Sequence, residues 1–234
     1  MDERWHGRAT TPNQRRLLLS FVGDQFSRTR LIAGVVLAGL FGLLTLFVVA
    51  GWTQALDDAW NSAMASVESD WLVSVAEWFH VVGSAPIAAP IAVAAGVGFL
   101  LARRWDLALA WVAIIGGAQI TTTVTKLLVG RPRPSDALVH ESSAAYPSGH
   151  ATVSGAAMAI GLAVLLGFIW PRRHNLFLWI GGVYAVLMAL SRTYVRVHWL
   201  TDVVGGLALG CAFVLVVAAL TYGTDRNTRT GVDD

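Results

Sequence analysis

The stretch LIAGVVLAGLFGLLTLFVVAGW, residues 31–52, decides the fold class of this chain, because it contains no charged residue. A helix that crosses the hydrocarbon core of a bilayer needs ~20 mostly apolar residues. This stretch is long enough, and its composition predicts a membrane-spanning helix.

Five more apolar runs of similar length follow it, at residues 85–102, 107–128, 150–170, 176–195 and 201–222. The chain is 55% hydrophobic and 14% charged, whereas a soluble domain has about a quarter of its residues charged. We therefore predict an all-α membrane bundle of six spans, organised as one domain over residues 1–234. Residues 1–30 and 223–234 are expected to be its cytoplasmic ends.

The bulk charge and the cysteine count exclude several classes of function. The formal net charge of +2 is too small to indicate a nucleic-acid partner, and the single Cys211 excludes an intramolecular disulfide and a cysteine-based zinc site. Of the 17 basic residues, only Lys126 is a lysine, which is typical of a GC-rich genome and favours a bacterial source.

The segment between the first two predicted spans has a different pattern. Apolar residues recur at spacings of three and four, with acidic residues between them, which predicts an amphipathic helix. We expect this helix to lie along the membrane surface; packing on the bundle is the alternative. The apolar positions are Leu56, Trp60, Met64, Val67, Trp71, Val75 and Trp78.

The arginines predict the orientation of the six spans, because positive charge accumulates in cytoplasmic loops. Twelve arginines fall on one side: those before residue 31, those after residue 222, and the pairs Arg103–Arg104 and Arg172–Arg173 between spans. This places both termini in the cytoplasm of a cell membrane. The remaining basic residues fall on the outer side, against the rule, and need a local reason: Lys126, Arg131, Arg133, Arg192 and Arg196.

Three segments rich in polar residues meet this outer side: residues 126–134, 147–150 and 191–202. Arginine offers a phosphate group a bidentate fork and lysine a point charge, so Lys126, Arg133 and Arg192 are candidate phosphate ligands. Ser148 and Gly149 precede a helix, whose first N–H groups favour an anion.

Two histidines in these segments have the residue types that nucleophilic and acid catalysis require. His198 and Asp202 are four residues apart and can touch on one helical turn. A carboxylate on one ring nitrogen fixes the tautomer and leaves the other nitrogen free to attack. His150, from a different span, could protonate the leaving oxygen.

Other polar residues near span ends have simpler interpretations. Arg131 and Arg196 are expected to extend to lipid headgroups, and His80 and His140 are interpreted as interfacial polar residues. Gly206 and Gly210 form a small-xxx-small pair for helix packing, within the chain or between chains, which leaves the oligomeric state open.

Together, the motifs make the chain resemble the type-2 phosphatidic acid phosphatase superfamily, whose signature is Lys-x₆-Arg-Pro, Pro-Ser-Gly-His and Ser-Arg-x₅-His-x₃-Asp. Lys126, Arg133 and Pro134 match the first motif, and residues 147–150 match the second. The third is matched by Ser191, Arg192, His198 and Asp202. The six predicted spans fit the membrane branch of this superfamily.

The resemblance implies a role for each matched residue. His198 would form a phosphohistidine intermediate, Asp202 would orient it, and His150 would act as the acid and later activate water. The residues that would bind the phosphate are Lys126, Arg133, Ser148, Gly149 and Arg192. The family needs no metal or other cofactor, and the sequence contains no clustered carboxylates or histidines that suggest one.

The predicted activity is hydrolysis of a lipid phosphate monoester or pyrophosphate at the extracytoplasmic face. Candidate substrates are phosphatidic acid, phosphatidylglycerol phosphate and a polyprenyl pyrophosphate such as undecaprenyl pyrophosphate. One alternative is a lipid phosphotransferase that uses the same site. Another is a non-catalytic membrane protein that binds lipid phosphates, although binding alone would not need His150, His198 and Asp202.

Overall fold

The computed structural model describes residues 12–230, with side chains described for residues 27–221. Every regular element in this range is helical, which confirms the predicted all-α membrane architecture. Arg4, Arg8 and the last residues of the predicted tail lie outside the described range. The helices are α1 (Pro12–Val49), α2 (Gln54–Ser66), α3 (Asp70–Gly83), α4 (Ala85–Leu101), α5 (Trp105–Val129), α6 (His150–Ile169), α7 (His174–Tyr194) and α8 (Leu200–Thr230).

Within residues 12–230, five helices are long and apolar enough to cross a membrane by themselves: α1, α5, α6, α7 and α8. The predicted second span corresponds to α4, whose 17 residues reach only about 26 Å at 1.5 Å per residue, less than the hydrocarbon thickness of ~30 Å. It passes the length test only together with α3, across a bend of 51°. Besides the five long helices, the described residues thus provide one more span only if α3 and α4 are counted together as one bent span.

The amphipathic segment forms two helices, α2 and α3, separated by a short turn. Several of its apolar side chains point away from the protein: Leu56, Trp71 and Trp78 are all more than half exposed. In the same segment Asp57 is fully buried. Exposed apolar side chains are thus available to lipid, while the buried face of α2 combines Asp57 with the partly buried Trp60 and Met64. Both helices contact α7.

The core of the bundle forms where α5, α6 and α8 meet. Leu107 and Ile114 of α5, Leu165 of α6 and Val214 of α8 are fully buried there. On the outside, α1 runs along α8, and α7 packs on the first half of α6. These contacts fix the starts of α6 and α8 relative to the end of α5, which is where the predicted site residues lie.

Gly206 and Gly210 allow α8 to approach α6 closely. A methyl group at Gly210 would lie 2.6 Å from the carbonyl oxygen of Thr152, and one at Gly206 would lie 2.8 Å from that of Ser148. Neither position has room for a side chain, so this pair packs helices within the chain. The contact presses the start of α6 against α8, and α6 itself begins with a π-helical stretch, His150–Ile160.

Candidate active site

The three polar segments meet at one end of the bundle. Helix α5 ends at Gly130 in a left-handed conformation, which directs the loop of residues 131–149 across the ends of the other helices. The Ser148 amide then donates a hydrogen bond of 3.0 Å to the Asp202 carbonyl, joining the start of α6 to the start of α8. Lys126, Arg133, Ser148, His150, Arg192, His198 and Asp202 are brought together at this end.

His198 and Asp202 form a buried hydrogen-bonded pair. The Asp202 carboxylate lies 3.2 Å from Nδ1 of His198 and also accepts the Trp199 amide at 2.9 Å. On the other edge of the ring, the Arg133 guanidinium donates to Nε2 at 3.1 Å. Because an arginine can only donate, Nε2 is the unprotonated nitrogen, and the ring proton sits on Nδ1 toward Asp202.

The electrostatic environment keeps His198 neutral. Burial lowers its pKa well below the ordinary value for histidine, and Arg133, Arg192 and Lys126 lower it further. A neutral imidazole retains the lone pair on Nε2 that a nucleophile requires. The geometry and the charges thus favour the same protonation state.

Arg192 is the most unusual cation of the site. It is fully buried, and none of its three guanidinium nitrogens has a hydrogen-bond partner among the described residues. The nearest acidic group is the Glu141 carboxylate, 4.0 Å away. Buried donors without partners are costly, so this guanidinium is a ready-made binding group for an anion.

Lys126 and Arg133 are held by carbonyl groups of the loop that crosses the site and of the turn between α7 and α8. Lys126 Nζ donates to the Ala144 carbonyl, and Arg133 donates to those of Ser143 at 2.9 Å and Val197 at 2.7 Å. Both side chains therefore have fixed positions next to His198. Beside them, a methyl group at Gly149 would meet nothing within 4 Å, so the space in front of this backbone is open.

His150 lies at the first turn of α6, within electrostatic range of Arg192 and His198. Its Nε2 is 3.1 Å from the His80 carbonyl, and the two rings stack with centroids 5.2 Å apart. A carbonyl can only accept, so Nε2 carries a proton and Nδ1 is the nitrogen that can exchange one with a ligand.

The structure overturns the headgroup interpretation of Arg131 and Arg196. Arg131 is buried and bonded to the carboxylates of Asp57 and Asp202 at 2.6 and 2.7 Å. Arg196 is buried between Glu68 and Asp136, at 2.5 and 2.7 Å. Folding brings these carboxylates next to the two arginines. The pairing could not be predicted from the sequence, because the carboxylates come from distant parts of the chain.

Three further residues belong to this region and were not predicted as site residues: Asp57, His80 and Glu141. The ligand-type atoms of His80, Glu141 and His150 lie within 4.8 Å of one another. The sequence suggested no cluster of histidines and carboxylates. The fold brings these three together, so that inference is wrong. A dication there would face the Arg192 charge near Glu141, which opposes metal binding.

An apolar cavity of about 360 Å³ lies deeper in the bundle. Its lining includes Ile91 of α4, Met158 of α6 and Phe177 of α7. Ser154, also in its wall, donates a 2.7 Å hydrogen bond to the Gly83 carbonyl, and Gly83 contacts the His150 ring closely. The cavity thus approaches the polar site from the membrane-embedded side.

A membrane bundle that ends in a histidine–carboxylate pair surrounded by fixed cations defines an integral membrane phosphatase. A sequence profile of the PAP2 superfamily matches residues 107–226, and the chain belongs to this family. It is 32% identical over 194 residues to phosphatidylglycerophosphatase B of Bacillus subtilis, across 81% of this chain and 93% of that protein.

Two further similarities support the same class. A segment of 80 residues is 39% identical to an undecaprenyl-diphosphatase of Sulfolobus acidocaldarius, covering 34% of this chain and 31% of that protein. The crystal structure of a transmembrane PAP2-type phosphatidylglycerolphosphate phosphatase from Bacillus subtilis superposes with a TM-score of 0.72 and 31% identity, over 83% of this chain and 96% of that one. The chain is thus a multi-pass membrane lipid phosphatase.

Proposed function

We propose that this phosphatase acts by double displacement through a phosphohistidine on His198. The observation that carries the proposal is the His198–Asp202 pair, whose unprotonated Nε2 accepts a hydrogen bond from Arg133 in a pocket with Lys126 and with Arg192, whose guanidinium has no hydrogen-bond partner among the described residues. The nucleophile, its orienting carboxylate and the anion-binding groups are thus assembled in one place.

In the first step, the Nε2 lone pair of His198 attacks phosphorus, and the bond from phosphorus to the lipid oxygen breaks. For this step His150 must be protonated on both nitrogens, a form that the negative charge of the bound phosphate favours, and it gives its Nδ1 proton to that oxygen. The phosphorylated imidazole keeps its proton on Nδ1 and donates it in a hydrogen bond to Asp202. The Asp202 carboxylate stabilises the positive charge of the ring. Lys126, Arg133 and Arg192 hold the phosphoryl oxygens, with Ser148 and the Gly149 backbone beside them.

In the second step, the now neutral His150 takes a proton from water as the water attacks phosphorus. The bond from phosphorus to Nε2 breaks, and His198 returns to its neutral form with the proton on Nδ1. One ester and one water give one alcohol and one phosphate. No metal is needed for the charge balance, because three cations of the chain already surround the phosphoryl group.

The substrate class that we favour is a lipid phosphate monoester of the phosphatidylglycerophosphate type. The name of the Bacillus subtilis relative, similar over most of its length, supports it. Glu141 gives a physical reason, because its carboxylate lies 3.7 Å from His80, next to the leaving-group acid His150. There it can accept a hydrogen bond from a glycerol hydroxyl, but it repels a second phosphate. The apolar cavity is suited to an acyl chain.

A polyprenyl diphosphate is the second candidate, supported by the shorter similarity to an undecaprenyl-diphosphatase. Phosphate release from purified protein in detergent with EDTA, over phosphatidylglycerophosphate, phosphatidic acid and a polyprenyl diphosphate, separates the two. We expect metal-independent release, fastest with phosphatidylglycerophosphate. Transfer of label to an acceptor alcohol in place of free phosphate would indicate a phosphotransferase, and binding without turnover would indicate a lipid-phosphate binder.

Glu141→Gln tests the role of the Glu141 charge in this preference. Removing one negative charge at the leaving-group side should raise kcat/KM for the diphosphate relative to the monoester by about three- to tenfold, because the charges are partly screened by solvent. The Glu77→Gln variant, in α3, is the matched control. An unchanged ratio in Glu141→Gln would remove Glu141 as a specificity determinant.

We also propose that the site opens on the extracytoplasmic face, with both termini in the cytoplasm. The support is the clustering of arginines at the opposite ends of the spans. In intact cells, with Cys211 replaced by alanine, a membrane-impermeant thiol reagent should label a cysteine at exposed Leu138 but not one at exposed Arg172. The reverse pattern would invert the orientation.

A further inference from the structure

The buried carboxylate of Asp57 connects the interfacial helix α2 to the nucleophile pair. Asp57 is fully inaccessible to solvent. One of its oxygens accepts the Thr201 amide at 2.9 Å; the other accepts the Thr201 hydroxyl at 2.7 Å and the Arg131 guanidinium at 2.6 Å. These bonds tie α2 to the residue next to Asp202 at the start of α8.

Arg131 continues the connection to the chemistry. While one terminal nitrogen of its guanidinium binds Asp57, the other donates to Asp202 at 2.7 Å and to the Thr201 hydroxyl at 2.8 Å. Asp202 in turn holds Nδ1 of His198. An unbroken line of hydrogen bonds therefore runs from Asp57 through Arg131 and Asp202 to His198, with each of these four residues less than a tenth exposed.

The charges along this line explain why Asp57 matters to the reaction. Arg131 alone would neutralise Asp202 and compete with His198 for its charge. With Asp57 on its other side, Arg131 is shared by two carboxylates, and the group as a whole keeps one net negative charge. That charge is needed when His198 carries a phosphoryl group and becomes an imidazolium, because buried charges interact strongly.

Anchoring of α2 does not by itself require this arrangement. The turn between α2 and α3 is already attached to the bundle by the Arg196–Glu68 ion pair and by Tyr194, which bonds the Ser69 amide and the Val67 carbonyl. Those contacts do not reach Asp202. The contacts of α2 that lead to the nucleophile pair run through Arg131, and among them Asp57 supplies the charge, with Gln54 adding a neutral hydrogen bond of 3.3 Å.

We propose that Asp57 is a positioning residue of the phosphoryl transfer: through Arg131 it preserves the negative charge and the orientation of Asp202 that stabilise the phosphorylated form of His198. This inference rests on the proposed role of His198 as the nucleophile. It assigns a part in the reaction to the interfacial segment, outside the three sequence motifs.

The Asp57→Asn variant tests the proposal, with Glu68→Gln as the matched control, because it weakens the other attachment of α2 without touching Asp202. We expect Asp57→Asn to lower kcat about 10- to 100-fold, the usual cost of losing a group that orients an active-site ligand, with KM changed less than about threefold. Glu68→Gln should keep both constants within about threefold of the wild type.

Two inhibitors separate this role from a general loosening of the site. Orthovanadate, which can bond to Nε2 of His198 as the transferring phosphorus does, should bind Asp57→Asn about tenfold or more less tightly. Inorganic phosphate, which relies on the cations alone, should bind nearly as before. Equal weakening of both inhibitors would overturn the proposal in favour of a structural role.

A double variant tests the charge argument. Asp57→Asn with Arg131→Gln again leaves Asp202 with a net negative charge, so we expect its kcat to exceed that of Asp57→Asn. A kcat equal to or below that of the single variant would contradict the proposal. If Asp57→Asn does not fold, Arg131→Lys replaces it, because a lysine cannot bridge both carboxylates as the planar fork does; unchanged kcat there would likewise contradict the proposal.

The outcomes also separate this inference from the proposed function. Activity retained in His198→Ala would remove the nucleophile and with it the whole mechanism. Activity lost in His198→Ala but unaltered in Asp57→Asn would overturn only the role of Asp57.

Discussion

Replacing His198 with alanine should reduce phosphate release by about 10⁴-fold or more, as expected when a covalent nucleophile is removed. The side chain is almost fully buried and makes its polar contacts with Asp202 and Arg133. The measurement is phosphate release from the purified protein in detergent with EDTA.

His140→Ala is the matched control for this experiment. His140 lies exposed in the loop of residues 131–149, and its removal should leave the rate within about twofold, as is usual for a surface substitution. Equal rates for His198→Ala and the wild type would refute the histidine mechanism.

Replacing Arg192 with alanine should have the second-largest effect, a loss of about 10²–10³-fold in kcat/KM, comparable to losing a preorganised transition-state donor. Its guanidinium is fully buried, with no hydrogen-bond partner among the described residues. We interpret its donors as reserved for the phosphoryl oxygens. The measurement is kcat/KM for the variant and the wild type, both at the same detergent-to-lipid ratio.

Arg192→Lys separates the charge of Arg192 from its geometry. A lysine keeps the positive charge but cannot form the bidentate fork, so we expect it to recover only part of the loss. Full activity in Arg192→Lys would mean that charge alone suffices, and full activity in Arg192→Ala would exclude Arg192 from phosphate binding.

Most of the spans could be predicted because lipid imposes a simple requirement on composition. An uninterrupted apolar run such as residues 31–52 can only be a span. Helix α4 was harder, because its 17 residues suggested a complete span while the structure joins it to α3 across a bend. Tertiary packing decides such a junction, and hydropathy does not report it.

The motif residues could be placed at one end of the bundle because alternating spans bring the ends of α5 and α7 to the same side. The residues around them could not be found in this way. Asp57 and Arg131 are 74 positions apart, and the amphipathic pattern around Asp57 predicted only a helix along the membrane surface or packed on the bundle. The buried face of α2 is mixed, with Asp57 beside the partly buried Trp60 and Met64, and the pattern does not show which acidic residue turns inward.

His80 and Glu141 were missed for a similar reason. A single histidine near a span end is usually an interfacial residue, and the loop of residues 131–149 has no periodicity that predicts which side chain turns inward. Only the stacking of His80 on His150 and the proximity of Glu141 to Arg192 reveal their place.

The central claim, a phosphoryl group carried by His198, is tested most directly by trapping it. The His150→Ala variant should be mixed with ³²P-labelled p-nitrophenyl phosphate and quenched in alkali. A nitrophenolate leaves without an acid, so the first step should still proceed, while the loss of His150 slows the attack of water. We predict near-stoichiometric label on the peptide that contains His198, stable in alkali and labile in acid. Label on another residue, or its absence while nitrophenol is released, would contradict the account.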